Sequence, residues 1–185
     1  MSSADSYRPQ EVPHGNRPRD ALSTGQRYPE PTVGALIFDP AGRLLLMKSH
    51  KWRGEYCLPG GHVELGERIV DAVRREVKEE TNLDVHDLEF VCFQEFIYDE
   101  RFWTRSHFIF FDYACRTEAT DVRLNEEAQE YVWVTPDEAL ALPVEHYTAV
   151  AIRAYLPRDD LPGPGRHLAS EGDASVNSGS GSGPR

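Results

Sequence analysis

Residues 61–83 read GHVELGERIVDAVRREVKEETNL. Inside this stretch, REVKEE (Arg75 to Glu80) gathers three carboxylates, Glu76, Glu79 and Glu80, in a segment of helical periodicity. Such charge runs ordinarily sit on a solvated face, because Glu is a good helix former and water solvates the charge. That reading requires the carboxylates to lie opposite the apolar stripe. At roughly 100° per residue, Ile69, Val70, Ala72, Val73 and Val77 form the stripe, and Glu67, Asp71, Arg74, Arg75 and Lys78 fall largely on the other side. Glu76 and Glu80 project into the apolar sector, with Glu79 on its flank. A carboxylate turned toward a core is costly unless it is paired or bound to a cation. Arg74 and Lys78 point away, so the acidic groups converge on something outside the helix. A divalent metal is the simplest candidate, because hard cations such as Mg²⁺ take carboxylate oxygens as ligands.

Working outward, the segment before it, KWRGEYCLPGG, is a loop closed by Pro59-Gly60-Gly61, where two glycines permit close backbone approaches. Upstream, TVGALIF (Thr32 to Phe38) and RLLLMKS (Arg43 to Ser49) are apolar, strand-like runs around the turn sequence DPAG, which predicts a hairpin. The spacing predicts a helix from about Glu67 to Thr81, ending at Asn82, a residue type that tolerates the left-handed position at a helix C-terminus. Strands are expected around 84–97, 106–116 and 131–134. TPDE (Thr135 to Glu138) supplies a cap, a first-turn proline and a capping-box glutamate for a short helix, and a last helix is expected over 145–155. Without regular βαβ alternation, the pattern implies a mixed sheet with helices packed against it.

The central segment resembles the Nudix box of the Nudix (MutT-like) hydrolase family. That pattern is a glycine, five residues, a glutamate, seven residues, then Arg-Glu-apolar-any-Glu-Glu-any-Gly-apolar. Gly61, Glu67, Arg75, Glu76, Val77, Glu79, Glu80 and Leu83 match at the right spacing, and the one departure is Asn82 where the family carries glycine. The resemblance implies an α/β/α sandwich (α+β or α/β in class) with a mixed sheet and a catalytic loop–helix–loop. It implies that Glu76, Glu79 and Glu80 bind metal, with the Gly60 carbonyl as a further ligand. It also implies that Gly61, Glu67 and Arg75 are structural members of the motif, Glu67 pairing with Arg75 to hold the loop; an ordinary exposed ion pair is the alternative. The cofactor implied is Mg²⁺, with Mn²⁺ as a substitute. The reaction implied is hydrolysis of a diphosphate bond in a nucleoside diphosphate-linked compound, with Glu76, Glu79 and Glu127 as catalytic carboxylates. Glu76 and Glu127 are the candidates for the base; for Glu126, Glu127 and Glu130 a solvated loop is the alternative.

Trp52, Arg53 and Tyr56, just before the glycines, are candidate substrate contacts through stacking or phosphate binding, or they only pack the loop. His62 either faces the site or is exposed. In YDERFWTRSHF (98–108), Phe102, Trp103, Arg105 and His107 are candidates for substrate selection or for a dimer interface. Relatives with this box act on nucleoside triphosphates, ADP-ribose and dinucleoside polyphosphates. A proline often found downstream in ADP-ribose hydrolases is not evident in VCFQEFIYDE (91–100), which favours a nucleoside triphosphate or related nucleotide. The different-class reading is a non-catalytic Nudix-like sensor that binds a nucleotide; such a module has no need of all three box carboxylates.

The chain has 185 residues, enough for one domain with a core, and its hydrophobic fraction of 39% is low. The ends explain the low value: residues 1–28 and 157–185 are rich in Pro, Arg, Ser and Gly without periodicity, and read as disordered extensions of a domain at 29–156. A net charge of −11 argues against non-specific binding to nucleic acid or anionic membrane. It does not forbid a phosphate substrate, since bound metal reverses the local field. Cys57, Cys92 and Cys115 are far apart, share no ligand spacing and read as small buried hydrophobes. With no apolar leader and no membrane-length run, a cytoplasmic protein is the expectation. A homodimer is common in the resembled family.

Overall fold

Strand β1 (Glu30–Phe38) is the axis of the sheet in the computed structural model, which describes residues 28–156 and the two strand residues 166–167. Along one edge, β1 runs parallel to β5 (His107–Arg116) for its whole length, Glu30 opposite Phe108 through Phe38 opposite Arg116. β4 (His86–Ile97) lies antiparallel to β5. On the other side come β2 (Leu44–Ser49) and β3 (Tyr56–Cys57), and β6 (Ala128–Val134) pairs antiparallel with β2. β7 (Arg166–His167) pairs with β4 and completes the order β3-β2-β1-β5-β4-β7. The sheet is mixed, as expected.

The expected hairpin is only half realised. Its turn forms as read: Asp39 Oδ1 accepts from the Ala41 and Arg43 N–H groups at 3.0 and 2.8 Å, and Gly42 takes φ 76°. The two strands pair only at Phe38–Leu44, and β2 then takes β6 as its partner. The edge of β1 goes instead to the loop at residues 59–63. Val33 N–H donates to Gly61 O at 2.8 Å, Ala35 N–H to Pro59 O at 2.9 Å, and Val63 N–H to Pro31 O at 3.0 Å. This pairing fixes the two glycines against the central strand.

Because side chains alternate along β1, Val33, Ala35 and Ile37 face one core and Leu36 and Phe38 another. Helix α1 (Ile69–Thr81) covers the first with Ala72, Val73 and Val77; α3 (His146–Tyr155) covers the second with Ala151 and Ile152, and α2 (Pro136–Ala139) adds Ala139. Helices on both faces give the expected layered α/β/α arrangement. The capping box at Thr135 and Glu138 is present in both directions. α1 begins two residues later than its spacing suggests, since its N-cap Arg68 offers no side-chain cap. All three cysteines are free and buried. Among the described residues, no helix is long and apolar enough to cross a membrane. The expectations for residues 1–27 and 157–185 fall outside the described residues, apart from β7.

Asn82 ends α1 in the left-handed conformation, φ 61°, with its N–H donating to Lys78 O at 3.0 Å. Glycine meets this backbone without a Cβ penalty. Asn82→Gly is therefore expected to leave activity unchanged and to shift stability by no more than about 1 kcal/mol, whereas Asn82→Val should cost about 1–2 kcal/mol. Urea midpoints of the two variants check this.

Candidate active site

The carboxylates of α1 end where the helical spacing puts them. Glu80 is buried, 7% exposed, and its Oε2 accepts the Gly60 N–H at 2.7 Å. Glu76 is half-buried against Gly61, where a Cβ would stand 2.5 Å from both carboxylate oxygens. Glu79 is exposed. Burial pushes the Glu80 carboxyl up to about 8, the neighbouring charges of Glu76 and Glu127 add to the shift, and the Lys51 ammonium opposes it. Burial also raises Glu76, against the lowering influence of Arg75. The Gly60 carbonyl receives no hydrogen bond from any described group.

Arg75 ties this cluster to the preceding loop. Its Nε and Nη2 donate to the two oxygens of Glu67 at 3.0 and 2.9 Å, and Nη2 also donates to His62 O at 2.8 Å. Its Nη1 reaches Glu76 at 2.8 Å and Glu79 at 3.3 Å. The bidentate fork sits on partly buried groups, 24% and 16% exposed, so the pair is not an ordinary surface bridge. The helical reading set Arg75 apart from the carboxylates; its long side chain instead comes round to them. Arg74 and Lys78 do point away, to Asp71 and Asp84.

These groups suit a divalent cation in kind: hard oxygen donors whose mutual repulsion a cation would relieve. They are not already closed around one, for among the described residues no three His, Cys, Asp or Glu side chains stand in a ligating cluster.

Beside the glycines opens a cavity lined by Gly60, Gly61 and His62 and by Trp52, Phe102, Phe108, Phe110 and Tyr147. Trp52 packs on Phe102 with centroids 4.7 Å apart, and Phe96 stands beneath them at 5.9 and 5.8 Å. Lys51 lines the same cavity and its ammonium pairs with Glu127. The Glu127 backbone is held by Ser49 Oγ at 3.3 Å and Asn125 Oδ1 at 2.9 Å. Glu130 is occupied elsewhere, by Lys48 at 3.0 Å and the Tyr56 hydroxyl at 2.7 Å.

Of the remaining candidates, Trp52, Phe102 and His62 line the cavity. Tyr56 does not: it sits in the core beside α3, on the far side of β3, with Lys48 over its ring. Arg53 donates to the Glu100 carbonyl, and Arg105 lies 4.3 Å over the Tyr98 ring, so neither guanidinium lines the cavity. Trp103 is 59% exposed. Sequence reasoning passed over Asp112, Glu145 and Tyr147, which also line the cavity. Glu145 caps α3 by accepting from the Tyr147 and Thr148 N–H groups, and burial pushes its carboxyl up to about 7. An acid inside FIFFDYACR, in period with Phe108 and Phe110, was the available signal for Asp112.

The NUDIX domain family matches this chain over residues 28–155, which takes in the loop, the acidic helix and the cavity walls together. The chain belongs to the NUDIX family. Its similarity to Nudix proteins extends to curated sequences: the nucleoside triphosphatase NudI of Salmonella schwarzengrund (strain CVM19633) is 36% identical over 91 residues, 46% of this chain and 64% of that protein. The chain thus matches less than two thirds of the length of these curated relatives. Among solved Nudix structures, the MutT NUDIX hydrolase from Burkholderia pseudomallei is 26% identical with a TM-score of 0.61, over 70% of this chain and 99% of that one. The MutT protein from Methanosarcina mazei Go1 is 26% identical with a TM-score of 0.58, over 69% and 94%. The stretch that resembles the Nudix box, residues 61–83, lies within the matched residues.

Proposed function

We propose that this Nudix protein is a divalent-metal-dependent hydrolase that cleaves a diphosphate bond in a nucleoside diphosphate-linked compound, with a nucleoside triphosphate or related nucleotide as the favoured substrate. One observation carries the reading: buried and half-buried carboxylates of α1 meet a glycine loop that lines an aromatic cavity. The cavity offers π-faces for a base, and Gly60 and Gly61, which line it, pack against Glu80 and Glu76, an arrangement that suits a nucleotide. The curated relatives are named nucleoside triphosphatases, which agrees with this substrate class.

Glu76, Glu79, Glu80 and the Gly60 carbonyl would hold Mg²⁺ or Mn²⁺, which when bound neutralises phosphate charge and acidifies a water. The chain's own contribution is placement. Gly60 N–H orients Glu80, Arg75 orients Glu76 and Glu79, and Lys51 with Asn125 orients Glu127. Glu127 or Glu76 accepts the proton of the attacking water, as a carboxylate within reach of that water can do. The intact set of box carboxylates counts against the sensor reading.

The test is a substrate panel with Mg²⁺ and with chelator, following phosphate, pyrophosphate and nucleotide products from nucleoside triphosphates, ADP-ribose, NADH and dinucleoside polyphosphates. The expected result is metal-dependent cleavage of triphosphates. Mg²⁺ binding by the folded protein with no turnover of any panel member would overturn the hydrolase reading in favour of the sensor.

A further inference from the structure

The cavity wall contains a carboxylate among phenylalanines. Phe108, Phe110 and Asp112 alternate along β5 and all line the cavity. Asp112 is 3% exposed. Gly34, opposite it across the β1–β5 pairing, leaves its room: a Cβ there would stand 2.3 Å from Asp112 Oδ1.

The two oxygens of Asp112 are not equivalent. Oδ2 accepts from Gln94 Nε2 at 2.7 Å and from Cys92 Sγ at 3.5 Å. Gln94 Nε2 also donates to the Tyr147 carbonyl at 3.0 Å, so both of its amide hydrogens are engaged. The reversed amide would set its oxygen against two acceptors, which fixes the orientation. Oδ1 receives no hydrogen bond from any described group. No fully buried side-chain oxygen or nitrogen among the described residues lacks a partner, so Oδ1 keeps some accessible surface, in a residue that lines the cavity. Burial pushes the Asp112 carboxyl up to about 6, which still leaves it largely a carboxylate at neutral pH, able only to accept. Glu145, the other buried acid on this wall, has both oxygens bonded to backbone N–H groups.

We infer that Asp112 is the residue that reads the base, its Oδ1 accepting a hydrogen bond from an exocyclic amino group, so that the cavity prefers cytosine and adenine to uracil and hypoxanthine. The inference rests on the nucleotide reading above. Aromatic walls stack any base with little discrimination, so selection falls to the polar edge. An oxo group where the amino group belongs sets two acceptors against each other in a buried place, and the unmet groups penalise binding.

The experiment compares kcat/KM for CTP against UTP and for ATP against ITP, pairs that exchange an amino group for an oxo group, using the full chain and Asp112→Asn. Wild type is expected to favour the amino member by about 10- to 100-fold. In Asp112→Asn the side-chain oxygen stays on Gln94 and the new amide hydrogens face the cavity, so the preference reverses toward UTP and ITP. The variant keeps the shape and removes a buried charge, so it should fold. Cleavage of all four at similar rates, with ratios unmoved by the variant, would overturn the inference and leave the hydrolase reading standing. If no triphosphate is cleaved, the triphosphate reading fails, and calorimetric binding of cytidine and uridine decides the inference separately. A cytidine preference reversed by Asp112→Asn upholds it; equal or absent binding of the two nucleosides ends it.

Discussion

Glu80→Gln is expected to lower metal-dependent turnover by about 10²- to 10³-fold, the scale of losing one pre-positioned electrostatic group at a phosphoryl site. Glutamine can still accept the Gly60 N–H, so the loop stays in place and the loss isolates the charge. A second readout does not depend on activity. The Glu80 carboxyl titrates near 8 in the folded protein against an ordinary value of 4.5. Across that interval the metal-free folded state retains a proton that the unfolded chain has released. Stability of the metal-free protein therefore falls as pH rises from about 4.5 to about 8. Glutamine has no proton to lose, so the variant's profile is flatter and its metal-free Tm at pH 8 exceeds that of wild type. Mg²⁺ should then raise the wild-type Tm at pH 8 and leave the variant nearly unmoved. Melts at pH 5 and pH 8, with Mg²⁺ and with chelator, check this; equal Mg²⁺ stabilisation of both proteins would remove Glu80 from the ligand set.

Gly60→Ala should damage the fold as well as the chemistry. The added Cβ would lie 2.0 Å from Val33 O and 2.9 Å from Val33 C, with Gly34 Cα at 3.1 Å. All three are backbone atoms of β1, so no side chain can swing aside and the loop itself must lift. That weakens the bonds from Val33 to Gly61 and from Ala35 to Pro59, and moves the Gly60 N–H from Glu80. A loss of about 3 kcal/mol in stability is expected, with turnover down about 100-fold from displacement of the loop. Gly61→Ala is the contrast. The three atoms nearest its Cβ all belong to the end of the Glu76 side chain, at 2.5 Å. It should keep most of the stability and lose turnover. Urea midpoints beside kcat/KM separate the two; a wild-type midpoint for Gly60→Ala would mean that the loop tolerates a side chain there.

The acidic helix was legible because its information is local. Helical spacing placed Glu76 and Glu80 toward the interior and Glu79 on the flank, and burial follows that order. The Asn82 stop and the Thr135 capping box were legible for the same reason, each being a backbone requirement met by one residue type. The start of α1 was missed by two residues because Arg68 carries no cap signal. The pairing of β1 with the glycine loop was missed because a turn sequence states that two strands are connected, not which edges they keep. The cavity was least legible. It needs β5, the segment around Trp52 and the start of α3 to converge, and no spacing in the chain reports that. Proximity to the glycines made Arg53 and Tyr56 attractive candidates, yet Tyr56 turns into the core and Arg53 reaches the Glu100 carbonyl.

The split between α1 and the aromatic walls has a consequence for how such a protein changes over time. The groups proposed to hold the cation come from one contiguous stretch, residues 60–80, locked by Arg75 and by pairing with β1. The walls come from separate stretches: Trp52, Phe102, Phe108 to Asp112, and Glu145 to Thr148. Substitutions in those stretches can change what enters the cavity while the acidic helix and its loop stay as they are. Inheritance can therefore vary the passenger and keep the engine. A library confined to Trp52, Phe102, Phe110 and Asp112 would sample new specificities without touching α1 or the glycine loop.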